Sequence, residues 1–360
     1  MRTAPAMIET KHPLSVYFAI PGNINNLTGG YGYDRKLIKG LSQLGVNVEL
    51  MPLSHEFPLP SAATMAETAA IFASIPDNAI VIVDGLAFGV MNNIAEQEAS
   101  RLNLIALCHH PLALETGIDP AHAKCLYLSE SIALNASRAV IVTSSATAQL
   151  LANDFSVPMV KIHLARPGTD RQLFAVCDSK TPQLLTVATL TKRKGHDVLI
   201  KALAQIKHLD WKATWIGSTV FDPDWMNHLE HLIDSSQLKN RITILGNVAD
   251  LTSEYANADA FILPSHFEGY GMAFAEALSF GLPIVAARAG AVPDLVPPDA
   301  GMLVQPADHN ALANAITTLL TNHHYRQQLQ RGAQRAALTL PTWEDCAIIV
   351  ANLIHHLRNI

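Results

Sequence analysis

An apolar run, Ala260-Phe261-Ile262-Leu263, ends at Pro264 and is followed by Ser265-His266-Phe267-Glu268-Gly269-Tyr270-Gly271, then by Met272-Ala273-Phe274-Ala275-Glu276-Ala277-Leu278. A short run with no polar alternation has the length and composition of a strand buried on both faces of a parallel sheet. The order predicted here is strand, glycine loop, helix. The helix runs from about Met272 to Phe280 and stops at Gly281, with Pro283 just beyond. Gly269 and Gly271 allow tight or left-handed backbone and remove side chains that would keep a ligand from the amides. The helix N-terminus then offers unpaired N–H groups and the positive end of a dipole, which suits phosphate.

Two carboxylates, Glu268 and Glu276, bracket this loop. Glu268 as a loop surface residue and Glu276 as a solvated helix position is the plain alternative, and the spacing alone is weak. The flanks of Glu276 argue otherwise: Phe274, Ala275, Ala277 and Leu278 do not make a solvated face. An ionised carboxylate among them is costly unless something hydrogen-bonds it, and a pair of sugar hydroxyls would do so.

The chain is 360 residues long, which is natural for two domains. Hydrophobic residues make up 49% and the net charge is −6, so a large core is available and no global basic field exists for nucleic acid. The four cysteines, Cys108, Cys125, Cys177 and Cys346, show no Cys-x-x-Cys spacing, which argues against a zinc site or disulfide framework and fits a cytoplasmic protein. Residues Arg2, Glu9, Lys11, His12 and Pro13 precede an apolar run, Leu14 to Ile20, too short for a signal core or a membrane span.

Strand and helix patterns alternate throughout. Ser15–Ile20 is the first expected strand; Gly29-Gly30 opens a helix to about Leu44, ended by Gly45, and a strand spans Val46 to Leu50. The loop lacks Gly-x-Gly-x-x-Gly, which weakens a dinucleotide reading. Ala79–Val83 leads to Asp84 and Gly85 at a strand's carboxyl end, where ligands of open parallel sheets bind, although capping the next helix is the commoner role for such an aspartate. Leu104–Cys108 runs into His109-His110, adjacent residues whose side chains point to opposite faces and so make a poor metal pair. Polar, irregular residues from Pro167 to about Pro182 form the expected linker. The second half repeats the alternation, and Lys192-Arg193-Lys194-Gly195 beyond a strand end would make a pyrophosphate clamp or merely a solvated basic loop.

With these residues in view, the segment Glu268 to Glu276 resembles the Glu-x7-Glu signature of retaining glycosyltransferases of the GT-B, family-4 type. The likeness continues through Gly281-Leu282-Pro283-Ile284-Val285, Gly290-Ala291-Val292-Pro293-Asp294 and Gly301-Met302-Leu303-Val304. It implies an α/β protein with two Rossmann-like, doubly wound domains facing a central cleft. The first would span 1–172 on the acceptor side, the second 173–342 on the nucleotide-sugar side, with a last helix of about 343–360 packing back on the first domain.

The same resemblance implies the site. Glu276 would hold the ribose hydroxyls and Glu268 the transferred sugar, while Gly269, Tyr270, Gly271 and Met272 present backbone to sugar and phosphate. Lys194 matches the family's lysine, but Ala188-Thr189 replaces its Gly-Arg, so Arg193 would have to serve from another direction. Gly217, and Gly246 with Asn247, stand at strand ends on the donor side, the latter loop holding the base. Gly29 and Gly30 match the family's pair facing phosphates and acceptor, and His109, or else His110, lines the cleft. A glutamate and a serine that recur in the family fall on Glu130 and Ser144-Ser145, where a solvated face and a helix cap are equally good readings. The implied activity is metal-independent, retaining transfer of a hexose-type sugar from a nucleoside diphosphate sugar to a hydroxyl acceptor, whether glycan, lipid-linked or small molecule, with no cofactor besides the donor. The same architecture also serves nucleotide-sugar epimerases, and a nucleotide-sugar-binding protein without catalysis is a third reading. Arg35, Lys36 and Lys39 on the first helix form a modest basic patch, open to weak peripheral membrane contact. No feature fixes an oligomeric state.

Overall fold

The computed structural model describes residues 14–359; the reading of Arg2 to Pro13 lies outside the described residues. The first domain is a sheet of β1 (Ser15–Pro21), β2 (Asn47–Leu53), β3 (Ile80–Asp84), β4 (Asn103–Cys108), β5 (Ala139–Val142) and β6 (Ile162–Leu164). All pairs are parallel, in the order β2-β1-β3-β4-β5-β6. The second sheet comprises β7 (Gln183–Val187), β8 (Lys212–Ile216), β9 (Ile242–Ile244), β10 (Ala260–Leu263), β11 (Ile284–Ala287) and β12 (Gly301–Val304). It is also all parallel, in the order β12-β11-β10-β7-β8-β9.

Helices cover both faces of each sheet, which is why β3, β5, β10 and β11 are buried along their whole length and carry continuous apolar runs. One core cluster lies on each face. In an open parallel sheet the strand order reverses at one place, and there the connections leave in opposite directions and open a crevice. That switch falls between β1 and β3 in the first sheet and between β7 and β10 in the second.

No helix or strand intervenes between Leu164 and Gln183. The final helix, Trp343–Arg358, returns to the first domain: Cys346, Ala347, Val350, Leu353, Ile354 and Leu357 share a core with Leu37 and Leu41 of the first helix, Gly29–Gln43. A Cβ added at Gly40 would stand 2.6 Å from Ala347 Cβ, so the two helices meet at glycine–alanine distance. Its N-terminus carries a capping box, in which the Thr342 side chain and Asp345 satisfy each other's backbone N–H groups.

Two sequence expectations shift. The second strand starts at Asn47 and runs on to Leu53, because it is an edge strand hydrogen-bonded to β1 along its full length. The helix that carries Glu130 spans Pro120–Ala136; Asp119 accepts from the Ala121 and His122 N–H groups and proline occupies its first turn. The basic patch on the first helix is mostly spent internally. Arg35 donates to the Ile24 and Asn26 carbonyls, Lys36 pairs with Asp170 at 2.7 Å, and Asp34 beside them in sequence is fully buried. Among the described residues no helix is long and apolar enough to cross a membrane.

Candidate active site

Both switch points open on the same interdomain cleft. The loop after β7 and the loop after β10 are tied together by the His266 N–H donating to the Arg193 carbonyl at 2.7 Å. This brings Lys194 and Glu268 side to side. Lys194 Nζ donates to Glu268 Oε1 at 2.6 Å, the Ser265 hydroxyl donates to the same oxygen at 2.6 Å, and Arg193 Nη1 stands 3.9 Å from Oε2. Burial would push the Glu268 pKa up, but the Lys194 and Arg193 charges outweigh it and hold the carboxyl below its ordinary value. Burial depresses Lys194 as well, more than Glu268 restores it. Glu268 is therefore a buried carboxylate, not a surface residue.

Arg193 does not point along the clamp direction alone. Its Nε donates to Glu115 Oε1 at 3.0 Å, across the cleft, and Nη1 donates to the Phe267 carbonyl at 3.1 Å. No sequence motif singles out Glu115. The remaining cation of the loop, Lys192, lies 5.9 Å over the Trp225 ring.

Gly269 and Gly271 earn their places by different means. A Cβ on Gly269 would sit 2.0 Å from the His109 carbonyl oxygen, so only glycine lets this loop touch the first domain. The Thr147 hydroxyl donates to the Gly269 carbonyl at 3.3 Å in the same contact. Gly271 caps the helix Met272–Ser279 in left-handed geometry, at φ +93°, with no side chain over the first-turn amides. Met272 packs against the first domain, its Sδ 3.9 Å from a Cβ placed on Gly29. Tyr270 is buried, and its hydroxyl has no partner within the protein.

Glu276 is held by a group the sequence did not announce: the Tyr255 hydroxyl donates to Oε2 at 2.9 Å. Burial raises the Glu276 pKa, and the tyrosine's hydrogen bond works against that. At the ends of β8 and β9, the Gly217 N–H donates to the Gly246 carbonyl at 2.8 Å, and a Cβ on Gly217 would meet the Ala188 carbonyl at 2.0 Å. Ala188 thus stands against these strand ends where the resemblance leads one to look for glycine, and Asn247 beside them is exposed.

The two histidines divide as their alternating directions require. His109 lies beside Gly30, its Cδ2 3.5 Å from where a Cβ would stand, and its Nε2 faces Asp34 and Asp84. His110 turns the other way and packs on Phe267 of the second domain at 4.5 Å between ring centroids. Burial, then the Arg193 charge, lowers the His110 pKa to about 4, so it is neutral at pH 7. Asp84 also takes its expected capping role, Oδ1 accepting from the Leu86 N–H. Ser144 is a helix cap, its hydroxyl accepting from the Thr147 N–H, whereas Glu130 is buried, which removes the solvated-face reading.

His196, next to the cationic loop, is fully buried with neither ring nitrogen bonded, and its pKa is depressed to about 3 by burial and then by Lys194. Its unfolded value is about 6.5. The unfolded chain therefore binds the extra proton between these values, and stability present above pH 6.5 is lost as pH falls toward 3. The slope from this one group is about 1.4 kcal/mol per pH unit. Denaturant melts from pH 7.5 to 4.5 on the wild type and His196→Phe should show a shallower decline in the variant.

The family model described as Glycosyl transferases group 1 matches residues 174–336. This second domain is a glycosyl transferases group 1 domain. The MMP alpha-(1->4)-mannosyltransferase of Mycolicibacterium hassiacum is 26% identical over 263 residues, 68% of this chain and 63% of that enzyme. The chain thus matches less than two thirds of that relative's length. Sucrose-phosphate synthase from Thermosynechococcus elongatus superposes with a TM-score of 0.81 at 21% identity, covering 96% of this chain and 99% of that one. Anabaena HepE in complex with UDP-glucose gives 0.78 at 19% identity, covering 95% and 100%. Around the group 1 domain the whole chain therefore has the GT-B fold, two Rossmann-like domains across a cleft.

Proposed function

We propose that this protein is a retaining glycosyltransferase that moves a hexose-type sugar from a nucleoside diphosphate sugar to a hydroxyl acceptor without a divalent metal. The observation that carries the reading is the buried Glu268 carboxylate, fixed by Lys194 and Ser265 at the β7–β10 switch point and directly before a helix whose first amides are uncapped. In that position Glu268 receives the sugar's hydroxyls. Cleavage of the glycosidic bond builds negative charge on the departing diphosphate, and the amides at Met272 together with Lys194 and Arg193 meet that charge as it grows. Each such donor contributes about 3 kcal/mol to the lowered barrier. Glu276, already accepting from Tyr255, has a second carboxylate oxygen for the ribose. No protein nucleophile is invoked: the acceptor attacks on the face the diphosphate leaves, and a phosphate oxygen takes its proton.

A donor bound to a solved neighbour, UDP-glucose, supports a nucleotide sugar as substrate. Four free cysteines support a cytoplasmic setting. The test is release of nucleoside diphosphate from UDP-, GDP-, ADP- and dTDP-sugars in EDTA. Turnover of one donor, lost in Glu276→Ala, is the expected result. No release from any donor, with no thermal stabilisation by any nucleotide, would count decisively against the reading.

A further inference from the structure

Asp34 and Asp84 are carboxylates that the proposed reaction does not use. Asp34 is fully buried and neither of its oxygens has a hydrogen-bond partner. Asp84 is 2% exposed and gives Oδ1 to the Leu86 N–H at 2.8 Å. Between them stands His109, with Nε2 at 3.5 Å from Asp34 Oδ1 and 3.8 Å from Asp84 Oδ2. One ligand atom from each of the three lies within 4.8 Å of the others.

Charge balance limits what this cluster can be. Two ionised carboxylates beside a neutral imidazole would leave a charge of −2 shut away from water, which the interior does not tolerate. The other titratable groups facing the trio are Tyr31 and Tyr33 on the first helix and Cys108 on β4, with Glu130 and Cys346 behind them, and none is a cation. Arg35, next in sequence to Asp34, is committed to backbone carbonyls. Two positive charges must therefore come with the trio itself.

We propose that the trio holds two protons, one of them on His109, with Asp34 and Asp84 as positioning residues that present His109 to the cleft as an imidazolium. The trio is then neutral overall. Burial, and next the charge of Asp34, lift Asp84 to about 7 against the pull of His109. Burial opposes a charged His109, but the nearby carboxylates of Asp34 and then Asp84 prevail and raise it. A divalent ion completed by water would bring the same two charges to these three groups, and metal binding is therefore an arm of the test. Nε2 is turned to the carboxylates, and the Cδ2 edge of the ring lies beside Gly30. The protonation state stands without the transferase reading; its catalytic use rests on that reading.

Histidine-labelled protein titrated by NMR tests this, the His109 signal being the one missing in His109→Gln. The expected midpoint lies above the ~6.5 of a free imidazole and falls by about one unit in Asp34→Asn, with a smaller fall in Asp84→Asn, melts confirming that each variant is folded. A midpoint at or below 6.5 in the wild type, or one unmoved in both variants, overturns the proposal. So does micromolar binding of zinc or manganese chloride that is lost in Asp34→Asn, which would make the trio a cation site. If a donor is turned over, Asp34→Asn should lower kcat about 10-fold or more with donor KM unchanged; unchanged kcat removes the positioning role. Absence of turnover in the wild type sinks the transferase reading and leaves the titration result standing.

Discussion

Lys194→Met should cut nucleoside diphosphate release by about 10²- to 10³-fold and destabilise the fold by about 3–5 kcal/mol. The two effects have one origin. Removing the ammonium leaves Glu268 buried with only the Ser265 hydroxyl at hydrogen-bond distance and Arg193 at 3.9 Å. The unpaired carboxylate is what costs stability, and the lost cation is what costs rate. The double variant Lys194→Met, Glu268→Gln separates them: it should recover most of the stability while staying inactive, because a neutral amide needs no counter-ion and Arg193 keeps its pairing with Glu115. Chemical denaturation of the three variants, run beside the release assay, reads both quantities. A single variant as stable as the wild type would mean that the pair is not the buried contact described above.

Gly269→Ala is expected to lower turnover about 100-fold by displacing the loop. Its Cβ would lie 2.0 Å from the His109 carbonyl, and both partners are backbone, so no side chain can swing aside. The Glu268 carbonyl accepts from the Ala291 N–H at 2.9 Å, so the loop is also held from the other side and cannot retreat freely. Overpacking of this kind costs about 1–3 kcal/mol. A parallel rise in donor hydrolysis over transfer, measured with any acceptor found, would show that the domains no longer meet tightly enough to exclude water. Wild-type rates in this variant would contradict the close approach.

Much of this was legible because apolar runs and glycine stops are local. Ala260–Leu263 is a strand and Met272–Ser279 a helix, ending one residue short of expectation, because nothing tertiary overrides apolar runs stopped by Pro264 and by Gly281. The site's polar partners were not legible, because each comes from a distant part of the chain. Tyr255 is 21 residues before Glu276, and Glu115 is 78 before Arg193. Asp34 was the hardest to see. On a helix bearing Arg35, Lys36 and Lys39 it looks like one member of a solvated charge pattern, and only the packing of that helix against the core of the first domain turns it inward. The second sheet follows the familiar dinucleotide order, while the first, β2-β1-β3-β4-β5-β6, does not, and strand order is invisible to periodicity.

The chain crosses between the domains twice, at residues 165–182 and again before Trp343, and the two crossings touch. The Thr169 N–H donates to the Pro341 carbonyl at 2.9 Å, and a Cβ on Gly168 would collide with the Trp343 backbone at 2.1 Å. Two well-separated tethers would act as a door hinge and allow rotation about one line. Two tethers pressed together act as a ball joint, which leaves tilt and twist alike unconstrained by the covalent path. The angle at which the halves face each other is therefore set by the rim, by Arg193 on Glu115 and Thr147 on Gly269, so small changes at those contacts retune the opening without touching the joint.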